Sequence, residues 1–213
     1  MQIILLFSIL LMMSGFTLFI TKKFKTDFGA SWTYSTFIII SMLYLGALLH
    51  ILTITVSIIY ITGILFFSYY CISWKKNKDL FINSIYTFLS LILCTYISYF
   101  LTRKIAIYTA WDDYAFWGVI LKELHVYGEL LVATDITSIL ESHRHYTKAA
   151  ILFQYMITKI LPYTETNAIF SNSFLCICFA AVVLRNRITS NILLITLCPG
   201  PLFYFPPSSL KTL

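Results

Sequence analysis

The sequence predicts an all-α protein, a polytopic transmembrane helix bundle of six to seven spans, from three observations. Of its 213 residues, 59% are hydrophobic and 11% are charged, whereas a soluble domain carries about 25% charged residues. Apolar runs recur that reach the roughly 20 residues needed to cross a membrane. Many basic residues stand in short clusters at the ends of these runs, as the positive-inside rule describes. We therefore predict an integral membrane protein of the plasma (inner) membrane. The scattered basic residues argue against nucleic-acid binding, which needs a solvated basic face.

The first span is predicted at residues 1–20, a run without a charged side chain. Three lysines within residues 22–25 follow the run, whereas the charges of a signal peptide precede its apolar core. A retained helix with a cytoplasmic C-terminal end is therefore favoured over a cleaved signal. The N-terminus is then extracytoplasmic.

Three more spans are predicted before residue 105. The apolar run at 32–74 is long enough for two helices joined by a tight turn near His50, and three lysines follow within residues 75–78. The two lysine clusters are separated by two spans, so they agree on orientation. A fourth span at about 80–101 then crosses outward and completes a group of four N-terminal spans within residues 1–104.

Residues 105–148 are predicted to form an extracytoplasmic, acidic loop that lies against the membrane. Six of the nine acids lie between Asp112 and Glu141. An amphipathic helix that Gly128 ends is predicted here, with Trp117, Ile120, Leu121 and Leu124 on its apolar face and Lys122, His125 and Glu129 on another. A second short helix is expected to begin near Thr134 or Asp135, which are good N-cap residues.

The region 149–205 is predicted to hold two or three further spans. A helix at about 149–161 rises only about 20 Å, short of the roughly 30 Å hydrocarbon core, so it is either half-embedded or extended through Tyr146 and Tyr163. If it crosses fully, Arg185 and Arg187 become extracytoplasmic, against the charge rule. We expect a single membrane domain over 1–213, either complete or a C-terminally truncated fragment.

The pair Asp112-Asp113 is the strongest candidate for chemistry. Partial burial between Trp111 and Trp117 would raise a carboxylate pKa and suit general-base work on a hydroxyl, although a solvated loop is the alternative. A basic cluster at 142–148 could stabilise a phosphate leaving group. The five cysteines are interpreted as small apolar residues of helix interfaces. No metal site and no cofactor are predicted.

Residues 111–118, Trp-Asp-Asp-Tyr-Ala-Phe-Trp-Gly, resemble the W-D-E-F-S-H-W-G motif of bacterial polytopic proteins related to GT-C type glycosyltransferases. Downstream, residues 146–155 look like their Y-P-P-G-x-A-L-F-Q-Y segment, and Glu165-Thr166-Asn167 falls where they often carry an acidic loop. The resemblance covers roughly residues 105–185. Phe116 stands where a histidine is commoner, and Thr147-Lys148 replaces Pro-Pro.

The resemblance implies transfer of a sugar from a polyprenyl-phosphate-linked donor to a lipid or glycan acceptor of the cell envelope, among membrane lipids. Asp112 would be the base of an inverting displacement, and Asp113 would assist it. The remaining candidates would bind substrate or the lipid phosphate: Arg103, Lys104, Trp117, His143, Arg144, His145, Tyr146 and Lys148.

Two other functions remain open at this point. One is a non-catalytic polytopic protein of surface-polysaccharide assembly or export, in which the acidic pair would have no chemical role. The other is a transporter whose acids relay protons, although such acids usually lie within the membrane rather than at the end of a span.

Overall fold

A computed structural model describes residues 2–105, 118–128 and 148–184, with the side chains of residues 104 and 105 left out. These residues form helices and short connections, and no strand occurs among them. In chain order the helices are α1 Gln2–Phe24, α2 Phe28–Leu48, α3 Leu52–Ile72, α4 Lys78–Ile105, α5 Gly118–Tyr127, α6 Ala149–Ile160 and α7 Glu165–Ala180. Two 3-10 turns, Trp74–Asn77 and Ala181–Val183, precede α4 and follow α7.

Five helical segments within these ranges are long and apolar enough to cross a membrane. They are Gln2–Phe24, Phe28–Leu48, Leu52–Ile72, Trp74–Arg103 and Glu165–Val183. The predicted all-helical class and the predicted membrane helices are therefore confirmed. The total of six to seven spans stays a prediction, because the apolar segment at 192–205 lies outside the described residues.

Short connections between the first four helices give the bundle two distinct ends. The C-terminal ends of α1 and α3 and the N-terminal ends of α2 and α4 lie together at what we call the lysine end, which carries Lys22, Lys23, Lys25, Lys75, Lys76 and Lys78. At the opposite end, α2 turns into α3 within three residues. His50 takes a φ of 57° there, and the amide of Ile51 donates to the carbonyl of Gly46 at 2.9 Å. The predicted turn near His50 is confirmed.

Helices α1 and α3 cross in close contact at two glycines. A Cβ atom on Gly15 would collide with the carbonyl oxygen of Gly63, and one on Gly63 would come within 2.7 Å of the Met12 carbonyl oxygen. Small residues at such crossings let the two backbones approach, which is the usual basis of packing between membrane helices. Beside this contact, the Phe19 and Phe66 rings stack at 4.8 Å.

Helix α7 begins at the end of the bundle opposite the lysine end, and it finishes at the lysine end. Near its start, Phe170 packs edge-on against Tyr99 in the last turns of α4, with ring centroids 5.1 Å apart. Near its end, Thr33 of α2 donates to the carbonyl of Cys178 at 3.0 Å. Gly29, in the first turn of α2, lies directly against the carbonyls of Ala181 and Leu184. The chain therefore reaches the lysine end at residue 184, immediately before Arg185 and Arg187, in agreement with the charge rule.

Helix α6 is short and enclosed. Every residue from 151 to 158 is buried, including the polar side chains of Gln154 and Thr158, so other parts of the protein surround this stretch. Its 12 residues rise about 18 Å, well short of the hydrocarbon thickness. Because it ends at Ile160, the structure does not support the alternative of an extension through Tyr163, whereas Tyr146 lies outside the described residues.

The four cysteines in the described part of the chain divide into two groups. Cys94 and Cys178 are buried, and the Sγ of Cys178 accepts a hydrogen bond from the Trp32 indole at 3.3 Å. Cys71 and Cys176 are exposed. The interpretation of the cysteines as residues of helix interfaces therefore fits Cys94 and Cys178, and it does not fit Cys71 and Cys176.

Candidate functional site

Most of the predicted site residues lie outside the described residues. This is true of Asp112, Asp113, Trp117, His143, Arg144, His145 and Tyr146, and of the side chain of Lys104. Their assignments stay predictions, as does the second short helix near residue 135. The structure describes Arg103, Lys148 and the elements on either side of the acidic segment.

Arg103 lies in the last turn of α4, at the end opposite the lysine end. Its guanidinium carbon is 5.7 Å from the centre of the Tyr99 ring, a cation–π contact. Tyr99 is buried, and its hydroxyl donates to Oε1 of Gln2 in α1 at 2.8 Å. The exposed Arg103 therefore stands on a ring that joins α1, α4 and α7, and its charge is available at this end of the bundle.

Lys148 directly precedes α6 and is half-buried. Its carbonyl accepts the amide of Leu152 at 3.0 Å, the first hydrogen bond of the helix. Its side chain makes no capping hydrogen bond. Helix α6 thus begins without the two prolines of the family pattern, and the ammonium group of Lys148 has no part in holding the helix start.

Glu165-Thr166-Asn167, expected to form an acidic loop, is instead the first turn of α7. The Thr164 hydroxyl accepts the amide of Asn167 at 3.1 Å as an N-cap. The Asn167 side chain donates to the carbonyl of Pro162 at 2.7 Å and fixes the preceding connection. Glu165 sits where the helix dipole favours a negative charge.

Helix α5 follows the acidic pair in the chain, and its end at Gly128 is as predicted. Leu121 and Leu124 are buried against the bundle, and Lys122 is exposed. The helix ends at Gly128, which has a φ of 73° and whose amide donates to the carbonyl of Leu124 at 2.9 Å. A glycine in this left-handed conformation is the usual helix stop.

His125 does not lie on a solvated face with Lys122, contrary to the prediction. Its ring is enclosed by Tyr155 of α6 and by Tyr163, with centroid distances of 5.1 and 4.6 Å. Its Nε2 is 2.8 Å from Oγ1 of Thr158. The signal was present in the sequence: Leu121, Leu124, His125 and Gly128 follow the i, i+3, i+4, i+7 pattern of one helix face.

The hydrogen bonds around His125 define its tautomer. The single hydroxyl proton of Thr158 is donated to the carbonyl of Gln154 at 2.7 Å, so the hydroxyl oxygen is an acceptor toward His125. The proton of the neutral ring is therefore on Nε2. Burial, and then the charge of Lys159, lower the pKa of His125 to about 4, so the ring is neutral at physiological pH.

The contacts of Tyr155 connect this cluster to the rest of the opposite end. Its hydroxyl is 2.9 Å from Oγ1 of Thr53 in the first turn of α3, and Nζ of Lys159 lies 5.3 Å from the centre of its ring. Helices α3, α5 and α6 are therefore fastened together at the end where the acidic segment is attached.

Glu123 is the acidic residue of α5, and its environment was not expected. Its Oε2 is buried and has no hydrogen-bond partner among the described residues. Burial raises the pKa of this carboxyl, because it disfavours the charged form. The sequence prediction did not single out this residue, because it treated the acids after Asp113 as one group.

Taken together, the described groups provide a fixed frame rather than a complete reaction centre. Arg103 supplies an available cation, Glu123 a carboxyl with a raised pKa, and the His125 cluster a rigid support for α5. Within the described residues no group of three or more metal-ligating side chains occurs. Comparison with protein-family models, with curated proteins and with solved structures finds no match to this chain.

Proposed function

We propose that the protein is a GT-C-like membrane glycosyltransferase. It transfers a sugar from a polyprenyl-phosphate-linked donor to a lipid or glycan acceptor at the extracytoplasmic face of the membrane. The observation that carries this proposal is the acidic motif at 111–118, joined in order and spacing to the segment at 146–155.

The fold supports the proposal through the elements that flank the motif. Helix α4 ends at Ile105 and α5 begins at Gly118, both at the end opposite the lysine end. The connection between them therefore starts and finishes at one end of the bundle. Because the positive-inside rule assigns lysine clusters to the cytoplasm, the acidic segment belongs to the extracytoplasmic side.

The proposed reaction is a displacement with inversion at the anomeric carbon. Asp112 takes the proton of the acceptor hydroxyl as its oxygen attacks the anomeric carbon, and Asp113 orients the acceptor. The bond from that carbon to the phosphate oxygen breaks, and the phosphate leaves on the lipid carrier. Cations stabilise the charge that develops there, and Arg103 and Lys148 are the described members of that proposed set.

Asp112→Asn tests the proposed base. With the full chain in membranes and a panel of radiolabelled polyprenyl-phosphate sugars, we expect the transfer rate to fall by about 10²–10⁴-fold, the usual range for losing a general base. The matched control is Asp79→Asn, the same chemical change at an exposed position in the first turn of α4 at the lysine end. The control should transfer at the wild-type rate.

Unchanged transfer by Asp112→Asn, at equal protein levels in the membrane, would remove the assigned base. The double change of Asp112 and Asp113 to Ala addresses the assembly or export alternative. If the cell-envelope glycan is unaltered in cells that carry only this double variant, the acidic pair has no catalytic role.

A further inference from the structure

A cavity of about 250 Å³ lies within the half of the bundle nearest the lysine end, away from the acidic segment. Its walls come from α1 to α4 and from the 3-10 turn, and include Leu18, Phe28, Phe67, Trp74, Phe81 and Ser84. The lining is almost wholly apolar. The Ser84 hydroxyl is already committed to the carbonyl of Leu80 at 2.6 Å, so it offers no free donor to a polar ligand.

The cavity exists because two consecutive helices diverge. Helix α3 packs on α1 and α2, whereas α4 packs chiefly on α7. At the lysine end of the gap between α3 and α4, Trp74 packs against Phe81 with ring centroids 4.3 Å apart. In a membrane such a gap between apolar helices faces the hydrocarbon chains of the surrounding lipid.

Lysines lie next to the residues that line the cavity at the lysine end. Lys75 directly follows Trp74, and Lys78 lies three residues before Phe81. Lys22 lies one helical turn beyond Leu18, and its ammonium donates to Oδ1 of Asn77 at 2.7 Å, which holds the turn against α1. Asp79, in the first turn of α4, is exposed, and the lysines outnumber it at this end of the bundle. Lysines next to a pocket between membrane helices are the usual setting for an anionic head group.

We propose that this cavity binds one acyl chain of an anionic phospholipid, with the head-group phosphate against Lys75 and Lys78. An apolar cavity of about 150 Å³ holds a benzene molecule, so a volume of about 250 Å³ takes about ten chain carbons. The cavity would therefore hold part of one acyl chain, and the rest of the lipid would remain in the bilayer. The site lies apart from the proposed reaction, and its existence does not depend on the glycosyltransferase proposal.

Trp74 provides a direct readout, since it lines the cavity. The full protein in phosphatidylcholine vesicles is titrated with brominated phosphatidylglycerol and, separately, with brominated phosphatidylcholine, and the quenching that disappears in Trp74→Phe is assigned to this site. We expect phosphatidylglycerol to bind more tightly by about fivefold for each lysine in contact. Equal quenching by the two lipids would overturn the proposal.

Two matched pairs of variants separate a local site from general surface charge. Lys75→Gln with Lys78→Gln should abolish the preference, while Lys23→Gln with Lys25→Gln, an equal loss of charge at the same end, should keep it. Ser84→Phe should fill the cavity and remove the quenching, while Ser41→Phe on the exposed face of α2 should not. If Ser84→Phe does not reach the membrane, Ile85→Phe fills the same cavity.

Two outcomes would contradict the assignment. Equal losses from both lysine pairs would mean a diffuse surface effect rather than a site. Displacement of the brominated lipid by polyprenyl phosphate but not by unlabelled phosphatidylglycerol would assign the cavity to an isoprenyl chain instead.

Discussion

His125 is held as a neutral side chain by the geometry around it. Two tyrosine rings flank the half-buried imidazole, and its Nε2 lies 2.8 Å from Oγ1 of Thr158. Protonation at Nδ1 would place a charge in this half-buried site near Lys159, which is why the pKa is lowered to about 4. We therefore interpret His125 as a structural residue whose contacts hold α5 against α6.

The lowered pKa predicts a pH dependence of stability. An unfolded histidine has a pKa of about 6.5, so between pH 6.5 and pH 4 the unfolded state binds the proton more readily than the folded state. Stability from this residue should be complete above pH 6.5 and fall as the pH approaches 4. Thermal unfolding of the purified protein between pH 7.5 and pH 4.5 measures it.

His125→Phe is the matched variant, because it keeps an aromatic ring between the two tyrosines and cannot titrate. It should be less stable than the wild type at pH 7.5, where the bond to Thr158 is lost, and the difference should shrink at pH 4.5. A difference in Tm that stays constant over this range would show that His125 is not the titrating group.

At the level of the helices, the glycine contact between α1 and α3 controls how closely they approach. Apolar side chains gain little by leaving lipid for a protein interior, so membrane helices depend on close van der Waals packing. Gly15 and Gly63 allow the backbones of α1 and α3 to approach closely, because neither residue has a Cβ atom. A residue with a Cβ atom at either position must push the two helices apart.

Gly15→Ala should therefore destabilise the protein, although alanine is the better helix former by about 1 kcal/mol. The new methyl group meets the Gly63 carbonyl oxygen and lies 2.8 Å from the amide nitrogen of Phe67, and overpacking of this kind costs about 1–3 kcal/mol. Unfolding by SDS in mixed micelles measures the change. Ser57→Ala, on the exposed face of α3, should be neutral, and a Gly15→Ala protein as stable as that control would contradict the contact.

The ends of helices could be predicted from the sequence where nearby residues determine them. The turn at His50 and the stop at Gly128 followed from run length and from glycine. The position of His125 was misjudged because the residue was grouped with Lys122 by its polarity, although its spacing from Leu121 and Leu124 places it on their helix face. The start of α7 at Glu165 was misplaced because an N-cap by Thr164 was not distinguished from a polar loop. The acidic pair itself stays a prediction.

Across the whole molecule, the direction of α7 resolves a conflict in the charge pattern. A full crossing by the segment at 149–161 would have carried Arg185 and Arg187 to the extracytoplasmic side. The structure has Leu184 beside Gly29 at the lysine end, so the chain leaves α7 on the side of the lysine clusters. Sequence alone could not decide this, because helix length is ambiguous at 12 or 13 residues.

This arrangement predicts which positions share a face of the membrane. In a cysteine-less background, Lys75→Cys and Val183→Cys should react with an impermeant maleimide from one side, and His50→Cys and Glu165→Cys from the other. All four positions are exposed. By the charge rule the first side is the cytoplasm. Reaction of Lys75→Cys and Val183→Cys from different sides would contradict the direction of α7.

The enclosure of α6 has a consequence for biosynthesis. A 12-residue helix that contains Gln154 and Lys159 is too short to be released into lipid as an independent span. It packs most extensively against α7, which follows it in the chain, and also against α2 and α5. We therefore expect α6 to enter the bundle together with α7, as a hairpin, rather than as a span inserted on its own.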